Sequence, residues 1–115
     1  MKHYTLFFRM DITTPEAQPT PEQMELYMEQ WGDWMDMIAA NDQLADGGTH
    51  LSVQGKVLRP NNVMTDGPYT EKNESVAGYI IVLAEDINGA VSIAQSCPIL
   101  QGEGTSVEIR QCMGM

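Results

Sequence analysis

Apolar positions along this chain fall into two periods. Residues 3–10, His-Tyr-Thr-Leu-Phe-Phe-Arg-Met, hold a tight aromatic and apolar cluster and predict a first strand with both faces covered at 6–8. A loop over 11–19 follows, with two prolines among small polar residues. From Thr20 the period changes. Met24, Tyr27, Met28, Trp31, Trp34, Met35 and Ile38 recur at spacings of 3, 1, 3, 3, 1 and 3, which is one stripe of a helix. Glu22, Glu25, Glu29, Asp33 and Asp36 fall mostly on the other side. Thr20 can cap this helix, Pro21 suits its first position, and Gln23 can reach back to complete a capping box. Gly32 costs about 1 kcal/mol relative to alanine in mid-helix, which predicts close packing at that point. Asn41-Asp42-Gln43 ends the helix.

Leu44 to Val53 predicts a second strand. Gly47-Gly48 interrupts it, as a bulge or as a wall that a ligand or another backbone approaches closely. Gly55-Lys56 reads as the hairpin turn, Val57-Leu58-Arg59 as the start of a return strand, and Pro60-Asn61-Asn62 as a break. Val63-Met64-Thr65 leads into a turn-rich segment, 66–75. Val76 to Leu83 is then almost wholly apolar and predicts a strand covered on both faces, with Gly78 marking a bulge or a close approach. Asp86 can cap a second helix whose stripe is Ile87, Ala90, Val91, Ala94 and Cys97, stopped by Pro98. Gln101 to Gly104 is a loop. Val107 and Ile109 alternate with Glu108 and Arg110 in a last, half-exposed strand. The order strand, helix, strands, strand, helix, strand predicts an α+β sandwich with both helices on one face of an antiparallel sheet. The other face carries apolar residues too. In 115 residues the natural cover for it is a second subunit, so a homodimer is expected.

Charge narrows the partners. Six basic residues against sixteen acidic ones give a formal net charge of −10, which repels nucleic acid and anionic membrane surfaces. The apolar stretch Tyr4–Phe8 is too short for the core of a signal peptide, and no run approaches the roughly 20 apolar residues of a membrane span. A cytoplasmic, single-domain protein spanning 1–115 is the expectation. Cys97 and Cys112 make no disulfide framework and read as small core or flanking residues.

Candidate chemistry is sparse. Two separated histidines and no paired ligand motif predict no metal site, and no phosphate loop or nucleophile elbow predicts a cofactor or an acyl-transfer centre. Gly102-Glu103-Gly104 lacks the third glycine and following helix of a dinucleotide site. Arg9, near a strand end, either snorkels or holds an anion at a cleft. Asp66, Glu71 and Glu74 lie close together in sequence beside Tyr69. Two of these carboxylates sharing a partly buried site could serve as general acid or base; the plainer alternative is an Asx-turn at Asp66 with solvated charges after it.

The densest motif is Thr65-Asp66-Gly67-Pro68-Tyr69, followed by Glu71-Lys72, Glu74 and Gly78-Tyr79-Ile80. Asp-Gly-Pro is turn chemistry: a self-bonding side chain, a residue that tolerates φ > 0 and a fixed φ in succession. With Trp31-Gly32-x-Trp34, Gly55-Lys56-Val57, Ala90 to Ala94, Cys97-Pro98-Ile99-Leu100 and Val107-Glu108-Ile109-Arg110, it resembles the YCII-related proteins, in the branch named for an Asp-Gly-Pro-Phe motif. Tyr69 stands where that motif has Phe. The resemblance implies a ferredoxin-like fold that pairs into a homodimeric α+β barrel, and no agreed activity. The better-known members carry a proposed His–Asp dyad with its histidine on the first helix. Trp31 occupies that region here and the helix has no histidine, so the dyad does not carry over.

Two readings follow. In one, a small organic molecule binds in a cleft between sheet and helix, lined by Trp31, Trp34, His50, Asp66, Tyr69 and Glu74, with cofactor-free proton transfer as the possible chemistry. In the other, the domain is a non-catalytic ligand-sensing or interaction module; the resemblance implies this through the association of such domains with sigma-factor systems.

Overall fold

The chain runs β1 (Lys2–Asp11), α1 (Pro21–Ala40), β2 (Leu44–His50), β3 (Lys56–Arg59), β4 (Val63–Asp66), β5 (Glu74–Ala84), α2 (Ile87–Ala94) and β6 (Ser106–Gln111), with 3-10 turns at Pro60–Asn62 and Pro98–Gln101. This computed structural model describes residues 1–14, 18–71, 73–102 and 104–114. Lys72 of the central motif, Glu103 of the late loop and residues 15–17 of the first loop lie outside the described residues.

The two most apolar strands take the middle of the sheet. Strand order is β2-β5-β1-β6, antiparallel throughout. Side chains alternate across a strand, so each central strand splits its residues between two faces. Tyr4, Leu6 and Phe8 of β1 and Ile80, Val82 and Ala84 of β5 are buried on one face, with Trp34 and Ile38 of α1 and Ala90, Ala94 and Cys97 of the α2 region. Both helices therefore cover the same face, and the fold is α+β and ferredoxin-like.

Helix starts match the sequence signals. Thr20 Oγ1 accepts from the Gln23 amide at 3.2 Å and Gln23 Oε1 accepts from the Thr20 amide at 2.9 Å, closing the capping box. Asp86 Oδ1 accepts from the Gly89 amide at 2.9 Å. The first turn of α2 departs from its predicted stripe: Ile87 is exposed.

Two expectations change. β2 does not turn back on β3; it ends at His50 and pairs with β5. β3 pairs instead with β4 in a separate two-stranded sheet. Pro60-Asn61-Asn62 is thus the hairpin turn rather than a break, with Asn61 and Asn62 at φ 67° and 62°. Asparagine tolerates that left-handed region better than most residues, which is why no glycine is needed there. The second change concerns Gly32. A Cβ built there meets nothing within 4 Å, so close packing does not explain it.

Gly47-Gly48 and Gly78 behave as their residue types predict. β2 loses register with β5 between Asp46 and Thr49. Gly48 lies at φ +57°, and a Cβ on it would sit 1.7 Å from the Tyr79 carbonyl oxygen. A Cβ on Gly78 would meet the Thr49 carbonyl oxygen at 2.6 Å. β1 and β5 also slip register between Phe8 and Arg9.

The opposite sheet face is open. Phe7, Tyr79, Ile81 and Leu83 lie on it, half-buried, beside a polar group at one end. There Glu108 faces Arg9 at 3.4 Å and Arg110 at 3.5 Å, and Ser106 Oγ donates to Glu74 Oε1 at 2.8 Å. The molecule is a slab of 42 × 40 × 19 Å with a radius of gyration of 15.3 Å; a compact domain of this length has about 13 Å. It exposes 7887 Å², whereas a folded monomer of this mass exposes about 6,300 Å².

Gly48→Ala and Gly78→Ala are each expected to lower unfolding stability by more than about 1 kcal/mol, read as a shift of urea midpoint at unchanged slope. Asp11, the last residue of β1, gives a pH prediction. Hydrogen bonds from the Thr14 side chain, the Thr13 and Thr14 amides and the Thr13 hydroxyl hold its carboxyl down to about 2. A depressed folded value adds stability that is complete above the ordinary value of about 3.9 and lost as pH falls through about 2. Carboxyl NMR should place the Asp11 midpoint near 2 in the folded chain.

Candidate functional site

The bulge in β2 opens a gap between that edge strand and α1. Gly47 and Gly48 both leave the ladder, and the Gly48 amide donates to Asp46 Oδ1 at 2.8 Å. Gly32 faces the same space from α1. Three glycines at one mouth leave it without side chains to fill it. The result is a cleft of about 440 Å³ lined by Phe8, Met28, Trp31, Met35, His50 and Tyr79 along with the glycines. Its volume falls within the usual range for small-molecule sites, about 300–1,000 Å³.

A ring cluster forms the inner wall. Trp31 meets Phe8 edge to face at 4.7 Å, Trp34 at 5.3 Å and His50 at 5.5 Å. The stripe spacing puts Trp31 and Trp34 on one side of α1, but their roles differ. Trp34 is buried, and its Nε1–H donates to the Ile93 carbonyl at 3.2 Å and to Ser96 Oγ at 3.1 Å. A buried indole with its N–H satisfied is core. Trp31 is only half-buried and lines the cleft. His50 closes the outer end. It is exposed, and its imidazole makes no hydrogen bond among the described residues.

The other three candidates lie elsewhere. Asp66 ends β4 and pairs with Lys56 at 2.6 Å, both side chains largely in water; a pair so exposed contributes about 1 kcal/mol at most. Tyr69 is 60% exposed, and its carbonyl, not its ring, is engaged, by Ser75 Oγ at 2.6 Å. Glu74 sits on the open sheet face with Ser106. Glu71 and Glu74 exchange both backbone hydrogen bonds at 2.9 Å across a tight turn, with Asn73 at φ 68°. A shared carboxylate site does not form. The structure joins Trp31 and His50, backs them with Trp34, and leaves Asp66, Tyr69 and Glu74 outside the cleft. Proximity in sequence misled here, because a turn sends adjacent side chains in different directions.

A model of the YCII-related domain matches residues 5–113. This chain belongs to the YCII-related family. Among curated proteins nothing matches it. In this YCII-related chain, α1 places Trp31 at the cleft and β2 places His50 across the gap from it. Met28, Met35 and Tyr79 also line the cleft and were not singled out from sequence; the helical stripe held the signal for the methionines. Among the described residues no three His, Cys, Asp or Glu side chains converge as a metal group, and no helix is long and apolar enough to cross a membrane.

The thiols of this YCII-related protein are unlike. Burial pushes Cys97 up to about 12, only partly opposed by the Ile99 amide. Cys112 is half-buried at the end of the open sheet face, 3.2 Å from Thr5 Oγ1. A thiol held protonated is inert. Cys97 should stay unmodified by iodoacetamide at pH 8 in the folded protein and react once it is unfolded, as read by peptide mass mapping.

Proposed function

We propose that this YCII-related chain binds a small, flat organic molecule in the cleft between α1 and β2 of a homodimeric α+β barrel. One observation carries the reading: a half-buried indole and an exposed imidazole stand edge to face at 5.5 Å across a slot walled by glycines. The indole offers a surface for stacking, and the imidazole a donor or acceptor for one polar group. Aromatic carboxylic acids, aromatic amines and aromatic lactones fit that description. His50 is the group through which cofactor-free proton transfer would run, imidazole being the commonest general acid or base.

Dimerisation is supported by the surplus of exposed surface, about 1,600 Å² beyond a compact monomer. Homodimers that are stable only as pairs bury about 1,000 Å² or more per subunit. The half-buried Phe7, Ile81 and Leu83 on the open sheet face are the natural contact. The non-catalytic reading, a ligand-sensing or interaction module acting with a transcription regulator, uses the same cleft. It is favoured by the absence, among the described residues, of a carboxylate that orients the His50 ring.

A thermal-shift screen against the three ligand classes tests the reading. A ligand at about 100 times its Kd stabilises by roughly 2.7 kcal/mol. A hit should quench Trp31 fluorescence, vanish in His50→Ala and survive in Asp66→Asn. Because His50 is exposed, its removal should leave stability within about 0.5 kcal/mol. No shift with any class, or a hit untouched by His50→Ala, removes the cleft from consideration. Gly32→Ala should raise stability by up to about 1 kcal/mol and weaken the same hit, since it strengthens the helix while narrowing the mouth. Turnover of the bound compound, abolished in His50→Ala, separates the enzyme from the sensor.

A further inference from the structure

The β3–β4 hairpin is out of place in a finished monomer. A two-stranded hairpin alone in water is marginally stable at best. This one joins neither edge of the four-stranded sheet. Its cross-strand pair Leu58–Met64 is 69% and 56% exposed, and Val63 on the other side is 52% exposed. Leu51 and Val53, on the way in, are exposed as well. Yet the hairpin is tightly specified. Asn61 and Asn62 take the left-handed conformation its turn needs, Lys56 and Asp66 pair at its base, and the Gly67 amide bonds the Gly55 carbonyl at 2.7 Å. A shape so defined and so apolar is built to be covered.

Charge says by what. Residues 47–65 contain no acid and carry Lys56 and Arg59. All sixteen acids lie outside that stretch, against four basic residues. The hairpin, residues 56–66, adds only Asp66 to these two cations and carries a net charge of +1, projecting from a remainder of net charge −11. Two copies of that body repel. A basic, apolar arm laid on the acidic body of a second copy offsets the repulsion and hides the apolar pairs together. The surface surplus of about 1,600 Å² lies inside the range of about 1,000–2,500 Å² per subunit that obligate homodimers bury, which leaves room for the arm beside the sheet face.

We infer that residues 56–66 form an arm that packs on a second copy of this chain. The inference rests on the homodimer proposed above and adds to it a contact the sheet-to-sheet barrel does not require. Mixing ¹³C-labelled with unlabelled protein and recording isotope-filtered NOE spectra tests it directly. Intermolecular NOEs should reach the Leu58 and Met64 methyl groups. In sedimentation equilibrium, Leu58→Asp/Met64→Asp should raise the dimer dissociation constant at least tenfold. Both side chains are exposed in the single chain, so circular dichroism should show the variant folded. Ile81→Asp, on the open sheet face, serves as the comparison that breaks the barrel contact. A dimer that lacks those NOEs and tolerates Leu58→Asp/Met64→Asp, but dissociates with Ile81→Asp, overturns the arm and leaves the barrel standing. A parent protein that stays monomeric at NMR concentration overturns both.

Discussion

The contact on which the rest depends is the edge-to-face cluster of Phe8, Trp31 and Trp34. Phe8 lies on a central strand and the two tryptophans on one side of α1, with centroids 4.7 to 5.9 Å apart. Such pairs contribute roughly 0.5–1.5 kcal/mol each beyond the area they bury, and they fix orientation as well as distance. Trp34 adds two hydrogen bonds to the α2 region, so one side chain ties both helices to the sheet. Once α1 is held there, its distance from the edge strand β2 is no longer adjustable. The cleft is what remains between a fixed helix and a strand that bulges away from it.

That geometry explains why the cleft is walled by glycines. Gly48 and Gly78 let β2 and β5 approach so closely that a Cβ on either would strike the other strand's backbone. The close approach anchors the bulge and carries His50 to a place opposite Trp31. Gly32 has no such neighbour. At the mouth of the cleft this position gives up helix propensity with no packing contact in return.

The two sheet faces divide the molecule's purposes. One is closed by helices and holds the core. The other is apolar at its centre and polar at one end, where Arg9, Glu108 and Arg110 meet. Arg9 near the end of an apolar strand is thus neither a simple snorkelling residue nor part of the cleft. It belongs to a charge group on the open face, close to Glu74. The thinness of the slab and its surplus surface have the same origin: a single helix layer on a single sheet leaves half of the sheet's apolar residues without cover.

Local physics was readable in the residues alone. Caps at Thr20 and Asp86, the disturbed strand at Gly47-Gly48 and the α+β order all rest on interactions within a few residues, and each appears where its residues place it; the helical stripe is buried only at Trp34 and Ile38, while Met24 and Met28 at its start are exposed. Family membership was readable for the same reason, as motifs spread in order along the chain. Partners distant in sequence were not. Nothing local distinguishes a β3 that pairs back to β2 from one that pairs forward to β4; that choice follows from β2 finding β5. Nor does spacing reveal that Asp66, Tyr69 and Glu74 diverge while Trp31 and His50 converge. Turns scatter neighbours in sequence, and only the packed sheet and helix bring distant residues within reach. The sequence by itself determined the elements and their apolar faces; the tertiary structure decided which strands pair, where a gap stays open and which side chains look into it.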